Sequence, residues 1–155
     1  MHGSVRRILL VIFGILLISV FILSSQTGEE SGNLSMNLTV NLVRFLNLEV
    51  TEYELHIIHI LVRKFAHFSI FMVIGLISKL ILSNMSNVKL LLINLVMCLS
   101  DECHQILIPG RGPSIRDIII DMCGCLVGIG IAFVILYVYR KYRYLKLKQI
   151  EESID

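Results

Sequence analysis

Long apolar runs, each ending or beginning in a short polar cluster, recur along this chain. A membrane-spanning helix needs about 20 mostly apolar residues, and four stretches qualify: 6–24, 64–82, 89–108 and 117–139. The pattern predicts an all-α polytopic membrane protein built as a four-helix transmembrane bundle. Arg6 and Arg7 ahead of the first run imitate a secretory signal. That run is long, however, and Leu23-Ser24-Ser25-Gln26 has no small-x-small cleavage pattern, so a retained span is expected. Between the first two spans, Leu34, Leu38, Leu42, Phe45 and Leu46 recur at helical spacing, with Asn37, Asn41 and Arg44 on another face. This predicts an extra amphipathic helix over 34–48, suited to the outer interface. Thr51-Glu52-Tyr53-Glu54 has the form of a capping box and opens a new helix. Helix from there to Leu82 would run about 48 Å, longer than a bilayer core. The part carrying His56 and His59 therefore projects outward or bends before the span, and both histidines read as solvated.

Composition strengthens the membrane assignment. The 155 residues suit a single domain, 1–155, and 55% of them are apolar. A mean hydropathy of +0.80 excludes an ordinary soluble domain. Charged residues make up 17%, against about 25% in globular chains. The net charge of +2 gives no case for a nucleic-acid partner. The cysteines at 98, 103, 123 and 125 lack CxxC spacing, and they read as small buried apolar residues rather than a metal or disulfide framework.

Basic residues then set the orientation. With the N-terminus inside, Arg6, Arg7, Lys79, Lys89 and the tail residues Arg140, Lys141, Arg143, Lys146 and Lys148 fall on the cytoplasmic side. Arg44, Arg63, Lys64, Arg111 and Arg116 fall outside, a ratio of nine to five. Both termini come out cytoplasmic, and a basic tail over 140–155 meets the anionic inner leaflet. This arrangement gathers the polar clusters of all four spans into one outer layer. Its members are Ser24-Ser25-Gln26, Arg63 to His67, Asp101 to Gln105, and Arg116 with Asp117 and Asp121.

Ionisable groups in a membrane segment cost about 2.5–3.5 kcal/mol each near the centre on insertion scales, so a retained layer of them points to use. Asn94, Cys98, Asp101 and Gln105 form one helical stripe, and Asp117, Asp121, Gly124 and Gly128 form another. Gly124 and Gly128 are a GxxxG pair, continued at Ala132, that permits close helix approach. His59, Arg63 and His67 align on the second span. Lipid satisfies none of these stripes, so they are expected to face one another around a polar pocket open to the outside. Asp101, Glu102, His67 and His104 are the candidate acid–base groups. Ser25, Gln26, Arg63, Lys64, Gln105, Arg111, Asp117 and Asp121 are candidate ligand-binding residues, the arginines through bidentate grip on a phosphate or carboxylate. A metal site from His67, Asp101, His104 and Asp121 is conceivable, but no HExxH-like spacing supports it, so neither a metal nor a cofactor is assigned. Against function stands the balance of four outer acids (Asp101, Glu102, Asp117, Asp121) by four outer bases (Arg63, Lys64, Arg111, Arg116), which could simply fix helix register. Ser24 and Ser25 could likewise do no more than satisfy a helix end.

Taken in order, these residues resemble the VanZ-like family of small bacterial membrane proteins. The series is Ser24-Ser25-Gln26, Lys64-Phe65-Ala66-His67, Asp101-Glu102-Cys103-His104-Gln105, Pro109-Gly110-Arg111 and Asp117-x-x-x-Asp121-x-x-Gly124. It touches every predicted span. The family's motif residues fall here on Ser25, Gln26, Lys64, His67, Asp101, Glu102, Gln105, Pro109, Arg111, Asp117 and Gly124. The resemblance implies a bacterial plasma-membrane location and a link to low-level teicoplanin resistance, with no reaction implied.

The expected function is binding or modification of an amphiphilic envelope component, such as a lipid-linked cell-wall precursor or an anionic lipid headgroup, which lowers sensitivity to teicoplanin-type glycopeptides. In the binding version Arg63, Lys64 and Arg111 hold the headgroup, while Gln26, His67 and Gln105 add hydrogen bonds. In the enzymatic version Asp101 or Glu102 is the base, with His67 or His104 moving the proton. Two rivals remain. One is a membrane scaffold or partner-binding protein using the amphipathic helix. The other is a proton-coupled transporter, which four spans could form only as a homodimer and which lacks an inverted repeat.

Overall fold

The computed structural model describes residues 3–152. They form five helices and, among the described residues, no strand: α1 (Gly3–Ser24), α2 (Gly28–Phe45), α3 (Glu52–Ile81), α4 (Asn87–Gln105) and α5 (Ile115–Glu152). Three of them, α1, α3 and α5, are long and apolar enough to cross a membrane. The stretch expected as a third span is helical as α4, but it carries Lys89, Asp101 and Glu102 within 19 residues and is not counted among the three. Helix α1 buries only Ser24 and exposes Val5, Ile8, Val11, Ile15 and Ile18. A helix so apolar and so bare is stable against lipid rather than water.

Helices α2 and α3 start with the same device. At Thr51 the side chain accepts the Glu54 N–H (3.3 Å), and Glu54 Oε2 accepts the Thr51 N–H (2.8 Å), as the sequence predicts. Thr27 and Glu30 build a second capping box, so the amphipathic helix begins at Gly28 rather than near 34. Helix α2 packs on α3 through Ser35, Thr39 and Val43, all buried, while Leu34, Leu38 and Leu42 are exposed. The seam against α3 is thus the small-residue face. Docking also changes the reading of His59, whose Nε2 is hydrogen-bonded to Ser35 Oγ at 2.6 Å and is not left to solvent. His56 is exposed.

The tightest packing joins α3 and α5, which run parallel. A Cβ on Gly75 would overlap the Cys125 backbone, one on Gly124 the Phe68 carbonyl, and one on Gly128 the Met72 carbonyl. The glycine stripe thus lets two backbones touch, as the GxxxG spacing requires. Phe71, Ile74, Cys98 and Cys125 form the buried core, with Phe13, Leu16, Leu17 and Val20 of α1 packed on it. Of the cysteines, Cys98 and Cys125 are interior, but Cys103 and Cys123 are exposed because they sit on the outward sides of α4 and α5. Away from the polar layer, Asn94 donates to Ser78 Oγ (3.2 Å) and Leu90 O (2.9 Å). Lys79, counted on the cytoplasmic side, is buried, its Nζ 4.2 Å from the Phe133 ring centroid and 3.1 Å from Asn87 Oδ1.

The basic segment from residue 140 is not a separate tail but the continuation of α5 to Glu152. No Gly or Pro follows Gly130, and Lys148–Glu152 adds an i,i+4 ion pair at 3.5 Å.

Candidate functional site

Four helix ends or first turns converge on one polar layer, and backbone contacts fix where they meet. Pro109-Gly110 turns the chain after α4, with Gly110 at φ 74°, in the left-handed region that favours glycine. The Gly28 N–H donates to the Pro109 carbonyl at 3.0 Å, and a Cβ on Gly28 would overlap the Gly110 carbonyl. The start of α2 is thereby clamped to the α4–α5 turn. On the other side of that turn, Glu102 Oε1 accepts the Ser114 N–H and tethers the start of α5 to α4.

Asp101 is the best-held group of the layer. The Ser24 hydroxyl donates to its Oδ1 (2.5 Å) and the Gln105 amide to its Oδ2 (2.9 Å), and all three residues are buried. The whole stripe Asn94, Cys98, Asp101 and Gln105 faces inward, as its spacing predicts. Opposite it, Asp121 is 1% exposed, and its Oδ1 lies 3.7 Å from His67 Nδ1 with no hydrogen-bond partner among the described residues. His67, Asp101 and Asp121 each bring a donor atom to within 4.8 Å of the others. His104, the fourth member of the conceivable metal set, lies elsewhere: it stacks on Phe21 with centroids 4.5 Å apart, and its Nε2 is 3.0 Å from Ser25 Oγ.

A cavity of about 200 Å³ opens beside this cluster, between α1, α2 and α3. Leu23, Leu34, Leu38, Ile70 and Phe71 give it apolar walls, while Gln26, Arg63, His67, Asp101 and Arg111 supply polar groups. Arg111 is braced by a hydrogen bond from Nη2 to the Leu23 carbonyl at 3.2 Å. Arg63 makes no salt bridge with any described residue. Burial and the neighbouring Arg63 charge both lower the Arg111 pKa, and the guanidinium stays charged at any physiological pH.

The predicted site residues therefore divide. Gln26, Arg63, His67, Asp101 and Arg111 line the cavity. Gln105 holds Asp101, and Asp121 backs His67. Lys64, predicted to grip an anion, is paired with Asp117, and both stand outside the lining. Glu102 and His104, named as acid–base candidates, serve a tether and a stacking contact instead of facing the cavity. Ser25 donates to the Phe21 carbonyl at 2.7 Å, a helix-end role, whereas Ser24 is the serine that matters to the site. Ser24 could have been found from depth: it is the last residue of α1, level with the end of the Asp101 helix.

No curated protein and no solved structure shows significant similarity to the chain. A family model, however, matches residues 9–137, from the first turns of α1 through the apolar part of α5 and across every residue of the polar layer. The ordered motif series and this match agree, and the chain belongs to the VanZ/LLP1 family.

Proposed function

We propose that this membrane protein binds an anionic amphiphile of the bacterial envelope in the cavity between α1, α2 and α3, and that occupancy lowers sensitivity to teicoplanin-type glycopeptides. The observation that carries the reading is the cavity's composition: two guanidinium groups, Arg63 and Arg111, with Gln26, His67 and Asp101 beside them, at a space whose remaining walls are largely leucine, isoleucine, valine and phenylalanine. An anionic headgroup with an acyl or prenyl chain matches both halves, whereas a polar solute would leave the apolar wall wet. The exposed leucine face of α2 supports the same reading, because an interfacial helix would offer it to acyl chains.

In this arrangement α1, α3, α4 and α5 all cross the plasma membrane. The charges of α4 are tolerable because Asp101 and Glu102 are buried against protein. Both termini are cytoplasmic, the polar layer lies at the outer leaflet, and the basic end of α5 meets the inner one. Arg63 and Arg111 hold the headgroup, and Gln26 and His67 add hydrogen bonds. A modifying role is the second reading, favoured by His67 and Asp101 lying together on the cavity wall.

The test is binding of phosphatidylglycerol, against phosphatidylcholine as control, to purified protein in detergent, with Arg63→Gln/Arg111→Gln compared to wild type. Hydrogen bonds to charged groups are worth about 1.5–3 kcal/mol, so the double variant should bind the anionic lipid at least ten-fold more weakly. Teicoplanin susceptibility of a deletion strain complemented with each form should follow the same order. Equal binding of both lipids by wild type would sink the reading.

A further inference from the structure

We infer that His67, Asp101 and Asp121 form a binding site for one divalent transition-metal ion, of the Mn2+ or Zn2+ class, set into the wall of the cavity. The three residues come from three helices, α3, α4 and α5, and their donor atoms converge within 4.8 Å. Ligands bound at about 2.0–2.2 Å stand about 3.0–3.5 Å apart around a cation. The His67 Nδ1 to Asp121 Oδ1 separation of 3.7 Å already lies near that range. A shift of roughly 1 Å in the remaining side chain, Asp101, completes the set.

A second, independent observation points to a ligand. Asp121 Oδ1 is buried and has no hydrogen-bond donor among the described residues, although it faces the cluster. A carboxylate oxygen in such a place is costly unless something cationic meets it. His67 Nδ1, at 3.7 Å, stands beyond hydrogen-bond reach, and Lys64 is committed to Asp117. Asp101 is held as metal-ligating carboxylates are: Ser24 and Gln105 each occupy one lone pair on its oxygens and leave others directed elsewhere. One imidazole with two carboxylates suits a borderline cation better than Mg2+ or Ca2+, which favour all-oxygen sets. The glycine-tight α3–α5 seam keeps His67 and Asp121 in register, so the site is prearranged rather than gathered by the ion.

Because His67 and Asp101 also line the cavity, the ion has an open side toward it. There it would grip an anionic headgroup alongside Arg63 and Arg111. This extension alone rests on the amphiphile reading, and the metal site stands without it.

The experiment uses full-length protein in detergent, stripped with a chelator, desalted and titrated with Mn2+ alone. Manganese is the probe because the exposed thiols of Cys103 and Cys123 are soft ligands that compete for zinc. Loss of the aqueous Mn2+ signal should report one bound ion per chain, and electron spin echo modulation should show a coupled nitrogen. The nitrogen modulation should vanish in His67→Gln, and Asp121→Asn should weaken binding at least ten-fold. Ser24→Ala, which removes no metal ligand but deletes a hydrogen bond to Asp101, should weaken it about ten-fold by freeing that carboxylate. It keeps the test sharp if Asp121→Asn does not fold. No stoichiometric ion at millimolar Mn2+, or unchanged binding and modulation in His67→Gln, would overturn the site and leave a His67–Asp121 ion pair only. Lipid binding by the stripped protein, measured separately, tells failure of the metal site from failure of the amphiphile reading.

Discussion

The two flanks of α3 meet their neighbours in opposite ways. Toward α5, side chains are removed: Gly75, Gly124 and Gly128 bring backbones into contact and leave no room for a Cβ. Toward α1 and α2, α3 presents Val62, Arg63, Ala66, His67 and Ile70, and a cavity of about 200 Å³ remains between the helices. In lipid no hydrophobic effect draws apolar helices together, so close van der Waals contact has to do it. The glycine seam supplies that contact and fixes the frame. The opposite flank can then stay open, because the fold does not depend on closing it.

The seam should be the more fragile flank. Gly128→Leu forces α3 and α5 apart against the Met72 carbonyl, and it should prevent assembly of a monodisperse protein in detergent. Gly128→Ala should fold but lose at least the roughly 1–3 kcal/mol typical of overpacking, read as a lowered thermal midpoint. If Gly128→Ala keeps the wild-type midpoint, the seam is not what holds the frame. Next in size is the ion pair above the seam. Lys64 and Asp117 keep side-chain exposures of 34% and 19%, so water screens part of their attraction. Lys64→Met should cost about 1–2 kcal/mol, well below the roughly 3–5 kcal/mol of a fully buried pair that loses one partner. Adding Asp117→Asn should recover part of the loss, and a double-mutant cycle with no coupling would show that the pair contributes nothing.

The sequence makes the seam more legible than the cavity for the same physical reason. Glycine spacing and the Asn94–Gln105 stripe are periodic, and helical period alone decides which residues share a face. Thr51 to Glu54 was readable because a capping box is local, and Thr27 to Glu30 was equally local yet hidden behind the more conspicuous leucine repeat. The partners within the polar layer were not readable. Nothing along the chain says that Lys64 meets Asp117 while Arg63, its neighbour, faces the cavity. That choice follows from helix rotation, which packing against α2 and α5 sets. Similarly, the leucines of α2 predicted an amphipathic helix correctly, but its protein-facing side is the small-residue row Ser35, Thr39 and Val43.

The open flank should tolerate change that the seam does not. Leu34→Ser with Leu38→Ser alters two side chains exposed at 46% and 56%. Stability in detergent should stay within about 0.5 kcal/mol per site, while affinity for phosphatidylglycerol should fall several-fold as apolar wall is lost. A large drop in thermal midpoint would instead make α2 part of the frame, and the contrast between flanks would fail.

The smallest effect concerns how α2 is started. Glu30 accepts hydrogen bonds from the Thr27 backbone N–H (2.9 Å) and hydroxyl (3.0 Å), which hold its carboxyl below its ordinary value of 4.5. A carboxyl whose folded pKa is lowered contributes in full above the unfolded value and loses that contribution as pH falls through the folded one. Amide protection in the first turn of α2, corrected for intrinsic exchange, should therefore decline as pH drops below about 4.5 toward the lowered folded pKa of Glu30. Amides along the α3–α5 seam should stay protected over the same range. Glu30→Gln, which keeps an acceptor without the charge, should remove the pH dependence from α2. If the seam loosened together with α2, the two flanks would be one cooperative unit, and the cavity could not open or close without disturbing the frame.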